Sequence, residues 1–215
     1  MIIAIDGPAG AGKSTVARAV ARELGLAFLD TGAMYRAVTL AVLERDVHPS
    51  DAAACAEVAR SIVLTFDEDG RILVDGERGE PHIRGRTVTL NVSAVSAHPG
   101  VRAAIVEEQR EIARRLGGVV AEGRDTTTVV FPEADHKFFL EASPAERARR
   151  RAAQDKTPER LDEILEDIAR RDRLDTTRAH SPLVRAPGAV VIDADGAGAE
   201  EVVARILAVV RGRAT

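Results

Sequence analysis

The run Gly7-Pro8-Ala9-Gly10-Ala11-Gly12-Lys13-Ser14 constrains this chain more than any other stretch. It follows the pattern of a glycine, four residues, then Gly-Lys-Ser/Thr, and its flanks are those the pattern requires. Before it, Met1-Ile2-Ile3-Ala4-Ile5-Asp6 is an apolar segment of buried-strand type. After it, Thr15-Val16-Ala17-Arg18-Ala19-Val20-Ala21-Arg22-Glu23-Leu24 reads as an amphipathic helix closed by Gly25. In a strand–loop–helix of this kind the glycines let several backbone N–H groups turn inward, and the helix N-terminus adds its dipole, so the loop is an anion cradle. Residues Gly7, Pro8, Ala9, Gly10, Ala11, Gly12, Lys13, Ser14 and Thr15 are therefore expected to hold the phosphates of a nucleoside triphosphate. Lys13 brings a mobile positive charge to the outer phosphates, and the Ser14 hydroxyl is placed for Mg²⁺, which takes oxygen ligands. A plain glycine-rich turn is the bland alternative, and the flanks argue against it.

Composition narrows the partners. With 215 residues the chain is long enough for one α/β domain with small insertions. The net charge of −4 argues against non-specific nucleic-acid binding, which needs a basic surface. Aromatic residues make up 3% and Trp is absent, so base stacking on an aromatic platform is not expected. Cys55 is the lone cysteine, which excludes an internal disulfide and a cysteine zinc cluster and fits a reduced, cytoplasmic setting. No apolar run approaches membrane-spanning length, and the strand and loop begin at Met1 with no signal-peptide pattern.

Along the chain, Ala27-Phe28-Leu29 is a second short strand ending in Asp30-Thr31-Gly32, followed by a helix over residues 33–43 and another over 52–60. Strand and helix alternating in this way predict a parallel sheet with crossover helices. The pattern then changes. Residues 62–66 and 71–74 are β-prone runs joined by Asp67-Glu68-Asp69-Gly70, a hairpin signal best read as an inserted subdomain, with an added edge of the main sheet as the alternative. Residues 83–91 are ambiguous and read as a short strand and a turn of helix. A clear helix covers 101–116, ended by Gly117-Gly118. Val119-Val120-Ala121 is the third core strand and Lys137-Phe138-Phe139-Leu140 the fourth. Ser143-Pro144 opens a helix carrying Arg147, Arg149, Arg150 and Arg151, with Ser143 as its N-cap. A further helix runs from Thr157-Pro158 to about Leu174, and the chain closes with a strand over 189–193 and a helix over 199–211. The expected fold is α/β: about five core strands with helices between them.

In open α/β sheets the ligand sits at the carboxyl ends of the strands. There lie Asp6 with the glycine loop, Asp30-Thr31, and Glu122-Gly123-Arg124-Asp125. A signalling GTPase would need an Asn-Lys-x-Asp segment, which is absent. A motor or transport ATPase carries an acidic Mg²⁺ partner at the end of an apolar strand; Val119-Val120-Ala121-Glu122 could imitate it but continues straight into Arg124. A small kinase needs two anion sites and arginines that close over the transferring group. Arg36, Arg102, Arg124, the run from Arg147 to Arg151 and the segment 170–178 supply them. Arg171, Asp175 and Arg178 stand at i, i+4 and i+7, one face if the helix persists that far.

Five segments together resemble the bacterial cytidylate kinases in order and spacing. They are the glycine loop over 7–15, Asp-Thr-Gly-Ala-Met-Tyr-Arg over 30–36, Asn91-Val92-Ser93 through His98-Pro99, Glu-Gly-Arg-Asp over 122–125 with Val-Val-Phe-Pro over 129–132, and Arg-Asp-x-x-Asp-x-x-Arg over 171–178. The likeness covers nearly the whole chain. It implies a single P-loop kinase domain over 1–215 with a five-stranded parallel sheet flanked by helices. Within it, residues 31–118 form a nucleoside-monophosphate-binding region with a small β-rich insert at about 61–80, and residues 147–160 a short helical lid. It implies transfer of the ATP γ-phosphoryl group to CMP or dCMP with Mg²⁺, by a monomer that binds small molecules and neither nucleic acid nor membrane. The family match assigns Lys13, Arg36, Arg124 and Arg178 to catalysis. It assigns the acceptor nucleotide to Thr31, Tyr35, Arg36, Ser93, Arg102, Arg124, Asp125, Arg171, Asp175 and Arg178, with Arg102, Ser93 and Asp125 at the base. The open alternatives are another small P-loop kinase, acting on UMP, AMP or a non-nucleotide such as shikimate, and a non-catalytic nucleotide-binding regulator. Thr127 departs from the family, which commonly has glycine there.

Overall fold

A computed structural model describes residues 1–67 and 70–212, and the chain divides into two compact units. The first comprises Met1–Phe28 and Gly117–Thr215. The main sheet has five strands in the order β2-β6-β1-β7-β8: β1 (Ile2–Asp6), β2 (Ala27–Asp30), β6 (Val119–Gly123), β7 (His136–Glu141) and β8 (Val190–Asp193). β1 is central and pairs in parallel with β6 and β7. Its residues Ile3, Ala4 and Ile5 are wholly buried, as expected of a strand covered on both faces. Helices α1 (Lys13–Leu24) and α8 (Ala199–Val210) bury Val16, Val20, Val202 and Ile206 against Ile3, Ile5, Val120, Phe138 and Ile192. The register places Ile5 beside Glu122 and Asp6 beside both Gly123 and Phe139. β1 and β6 therefore end level with one another, where the glycine loop leaves β1, and β7 runs two residues further.

Helices α6 (Pro144–Asp155) and α7 (Leu161–Thr177) complete this unit, with a 3₁₀ turn over Pro158–Arg160 between them. Ser143 caps α6 as expected, its hydroxyl accepting from the Glu146 N–H at 3.2 Å. The chain leaves the first unit within β2.

The second unit, Leu29–Leu116, is mainly helical. It contains α2 (Thr31–Glu44), α3 (Ala52–Ser61), α4 (Arg86–Val95) and α5 (Pro99–Leu116). Asp30 and Asp51 cap α2 and α3 through the N–H groups of Ala33 and Ala54. The expected hairpin is present as β3 (Leu64–Phe66) and β4 (Ile72–Val74), antiparallel, but a third strand, β5 (Glu77–Arg78), joins it. β5 is two exposed charged residues with no hydrophobic signature. These strands form a sheet of their own, so the alternative of an added edge on the main sheet does not hold. Glu68 and Asp69 of the expected turn lie outside the described residues.

The ambiguous stretch resolves as a 3₁₀ turn over His82–Arg84 followed by α4. Thr87, Val88, Thr89 and Val92 are β-branched and suggest a strand, yet the buried residues are Val88, Val92 and Val95, at helical spacing. Burial of that stripe outweighs propensity. A second correction concerns Arg178. α7 ends at Thr177, and Arg178 has extended backbone (φ −62°, ψ 141°), so it does not continue the helix face of Arg171 and Asp175.

Candidate active site

Gly7 opens the loop where no side chain fits: a Cβ there would lie 2.3 Å from the Leu140 carbonyl oxygen of β7. Lys13, the first residue of α1, is 5% exposed and donates from Nζ to the Pro8 carbonyl at 2.9 Å. Burial, reinforced by repulsion from Arg124, lowers its pKa to about 7, against the pull of Glu122, Asp6 and Asp175. Ser14 donates to Glu122 Oε1 at 2.6 Å, and the other Glu122 oxygen is 4.0 Å from Lys13 Nζ. Glu122 is thus the acidic strand-end partner of the loop. The sequence reading set this residue aside because Arg124 follows it. In the structure the following residues turn away from the strand, so the arginine does not prevent the contact.

The Asp6 carboxylate, wholly buried, accepts four hydrogen bonds. Thr126 gives its N–H and hydroxyl at 2.9 and 2.7 Å, and Thr127 gives the same pair at 2.7 and 2.6 Å. Residues Thr126–Val130 form one π-helical turn. The departure at Thr127 therefore has a physical role: its hydroxyl supplies a donor that glycine lacks, and it ties the end of β1 to the loop carrying Arg124 and Asp125.

Beyond this lies a group of three arginines and two aspartates. Arg124 Nε donates to Asp175 Oδ2 at 2.8 Å, and Arg178 Nη2 stands 3.8 Å from Asp125 Oδ1. Arg178 Nε also donates to the Ser181 carbonyl at 2.6 Å. The Arg171 Nε is buried with no hydrogen-bond partner among the described residues. Burial, with Arg124 repelling it, pushes Arg171 down to about 10. Burial works to raise the Asp175 carboxyl, but Arg124, Arg171 and Arg178 outweigh it and hold the group below its usual range. Arg124 itself is moved up despite its burial, chiefly by Asp175. The group carries one more positive than negative charge, and Arg124 crowds both Lys13 and Arg171. A multivalent anion would relieve that crowding.

The second unit holds the remaining expected residues. Thr31 is the buried first residue of α2. Tyr35 is buried on the same helix, its ring 5.1 Å from the guanidinium of Arg102. Arg102 is 4% exposed on α5 and donates to the Ser96 carbonyl at 3.1 Å. Arg36 donates to the Ile83 carbonyl at 3.1 Å and to the Thr89 hydroxyl at 3.0 Å, joining α2 to the 3₁₀ turn and α4. Ser93 lies half-buried on α4. The structure thus brings Lys13, Ser14, Arg124, Asp125, Arg171, Asp175 and Arg178 together in one unit, while Thr31, Tyr35, Arg36, Ser93 and Arg102 belong to the other. Glu122 and Asp6 were placed at the ligand-binding strand ends by the sequence but given no role there. Their signal was position alone, an acidic residue at a strand's carboxyl end.

Comparison with known proteins shows the family. Residues 3–212 match the family model described as cytidylate kinase. The chain is 48% identical to the cytidylate kinase of Mycobacterium leprae, over 99% of this chain and 96% of that protein. It is 47% identical to the cytidylate kinase of Caldanaerobacter subterraneus subsp. tengcongensis, over 97% and 94%. Among solved structures, TT1252 from Thermus thermophilus shares the fold, with a TM-score of 0.54 at 21% identity, covering 100% of this chain and 98% of that one. A glycine loop with Lys13 and Ser14 at one strand end, charged residues at the next, and a match that runs through both units lead to one conclusion: the chain belongs to the cytidylate kinase family.

Proposed function

We propose that this chain transfers the γ-phosphoryl group of ATP to CMP or dCMP, giving ADP and CDP or dCDP. The observation that carries the reading is family membership over residues 3–212, because it takes in both units rather than the glycine loop alone. The geometry is suited to the chemistry. The second pKa of a phosphate monoester is about 6, so the acceptor oxygen is largely anionic at neutral pH and needs no strong base. What remains is positioning, exclusion of water and neutralisation of charge on the transferring group, in line between two oxygens.

In this reading the backbone of residues 7–15 and Lys13 hold the ATP phosphates. The Ser14 hydroxyl and the Glu122 carboxylate, 2.6 Å apart, are hard oxygen donors that fit Mg²⁺, which keeps several waters and binds substrate phosphates. When bound, Mg²⁺ would neutralise charge on the β- and γ-phosphates. Arg36, Arg124 and Arg178 act on the acceptor phosphate and the transferring group, while Arg171 and Asp175 hold the sugar. Ser93, Arg102 and Asp125 read the base: Arg102 donates to the acceptors of cytosine, and the Asp125 carboxylate accepts from its 4-amino group. The carbonyl at that position in uracil would leave the carboxylate opposed and unpaired. Thr31 and Tyr35 line the acceptor, and residues 147–160 close as a lid over ATP.

The same reading takes the chain as a cytoplasmic monomer. In support, the exposed large hydrophobic residues among those described are single positions, none adjacent to another in sequence, and Cys55 is a buried free thiol. No helix among the described residues is long and apolar enough to cross a membrane.

The test is ADP production from ATP and Mg²⁺ with CMP, dCMP, UMP, AMP, GMP and shikimate offered in turn. Strong turnover of CMP and dCMP, with UMP far behind, is the expected outcome. Equal turnover of UMP would remove the account of base reading, and ADP release without acceptor dependence would remove the kinase itself.

A further inference from the structure

One member of the segment Arg171-Asp172-x-x-Asp175-x-x-Arg178 has no task in the reading above. Asp172 meets Arg147 in a two-point contact, Nη1 to Oδ1 at 3.0 Å and Nη2 to Oδ2 at 2.6 Å. Paired N–H groups on a carboxylate form one of the strongest and most directional side-chain contacts. Arg147 is 3% exposed and its other bonds go to backbone: Nη1 to the Ala9 carbonyl at 3.0 Å and Nε to the Ala142 carbonyl at 2.9 Å. A single guanidinium therefore joins α7, the end of β7 and the glycine loop. One turn further along α6, Arg150 Nη1 reaches the Ala11 carbonyl at 3.4 Å.

The carbonyl of Ala9 matters because a trans peptide is planar, with its C=O and N–H pointing opposite ways. Holding the Ala9 oxygen on the α6 side turns the Gly10 N–H to the other side. Gly10 has φ +79°, and a Cβ there would come within 3.3 Å of the Arg147 Cβ, so α6 is seated directly against the loop at this peptide.

We propose that Asp172 is a positioning residue for ATP: acting through Arg147, it orients the Gly10 N–H toward the triphosphate. The inference rests on the reading above that the loop takes ATP. It divides the segment by substrate. Asp172 serves the phosphoryl donor, while Asp175, three residues on and bonded to Arg124, serves the acceptor side. Arg147 becomes the fixed end from which a lid over 147–160 would swing.

The experiment is titration of the full chain with Mg²⁺-ATP in the absence of acceptor, alongside steady-state KM values for ATP and CMP. The variants are Asp172→Asn, Arg147→Lys, their double and Asp175→Asn. Loss of one charge-assisted contact should weaken ATP binding about tenfold in either of the first two, with KM for CMP changed by less than about twofold. The double should bind no more weakly than the worse single, because one contact is being removed twice. Asp175→Asn should do the reverse, raising KM for CMP by more than it weakens ATP binding. Wild-type ATP affinity in Asp172→Asn would overturn the proposal even if the variant melts earlier, since an ordinary structural ion pair predicts that result. So would additive effects in the double, or equal losses for both substrates. If Asp172→Asn does not fold, Arg147→Lys, which keeps the charge but loses the fork and the backbone contacts it fixes, decides the question by the same readings. Failure of the wild-type chain to bind ATP would instead overturn the proposed function itself.

Discussion

In the first unit Arg124 stands close enough to Lys13 and Arg171 to push both toward their neutral forms, on top of what burial does to them. In the second unit Arg84 is half-exposed, and Asp30 and Glu80 flank it and leave it more firmly charged than free arginine. Its neighbour Arg36 is engaged by a carbonyl and a hydroxyl, and Arg102 by a carbonyl and a tyrosine ring. Arginines of the second unit thus bind their own helices together, whereas in the first Arg124 crowds Lys13 and Arg171. Such crowding costs stability and is kept only where something else gains from it. In the proposed reading that gain is the binding of substrate phosphates in the first unit.

Substitution of Arg124 should break the contrast most sharply. Arg124→Lys keeps a charge but loses the planar contact with Asp175, and kcat should fall by about 10³–10⁵-fold. Steady-state turnover of CMP measures it; a loss under about tenfold would mean that Arg124 only supports the fold. A smaller effect, confined to the acceptor, is expected from the second unit. Arg102→Met should lower kcat/KM for CMP by about 10²-fold and erode the preference over UMP, with ATP affinity unchanged. Weakened ATP binding in that variant would show that Arg102 does not serve the acceptor alone.

Lys13 offers a pH signature that no arginine of the second unit shares. Its pKa is lowered from 10.5 when free to about 7 in the folded chain. Below pH 7 it is charged in both states and its burial costs stability. Between pH 7 and 10.5 the unfolded chain holds the extra proton, so stability rises with pH across that window, and the gain is complete above it. ATP favours the charged form, so its affinity should fall by up to about tenfold per pH unit above 7, with proton uptake on binding. Calorimetric titration in buffers of different ionisation enthalpy reads the uptake, and Lys13→Met should abolish both slopes. The mildest change is Thr127→Val. Removing one donor from the buried Asp6 carboxylate should cost about 1.5–3 kcal/mol of stability in denaturant unfolding. No loss would show that the other three donors suffice.

What could be read in advance followed from contacts between near neighbours in the chain. The glycine loop, its strand and its helix occupy the first 24 residues, so their spacing carries their chemistry. Ser143 as a helix cap needed only Glu146 three residues on. The α4 helix was harder because its β-branched residues contradict its periodicity, and β5 was invisible because two exposed charged residues carry no pattern. Whether Arg178 shared the helix face was left open in the sequence, since nothing local marks where α7 stops, at Thr177.

The sequence by itself determined the α/β order of elements, the phosphate loop, the inserted strands and the family. Each of these is written in periodicity, glycine placement or short motifs, which local sterics and burial enforce. Only the tertiary structure decided that Glu122 takes Ser14, 108 residues away, that Thr126 and Thr127 close on Asp6 across 120 and 121, and that Asp172 holds the glycine loop through Arg147. These partners meet because parallel strands β1 and β6 end at the same level and α6 lies between α7 and the loop. Distance along the chain says nothing of such meetings. They are fixed by strand order and by the demand that every buried charge find a partner.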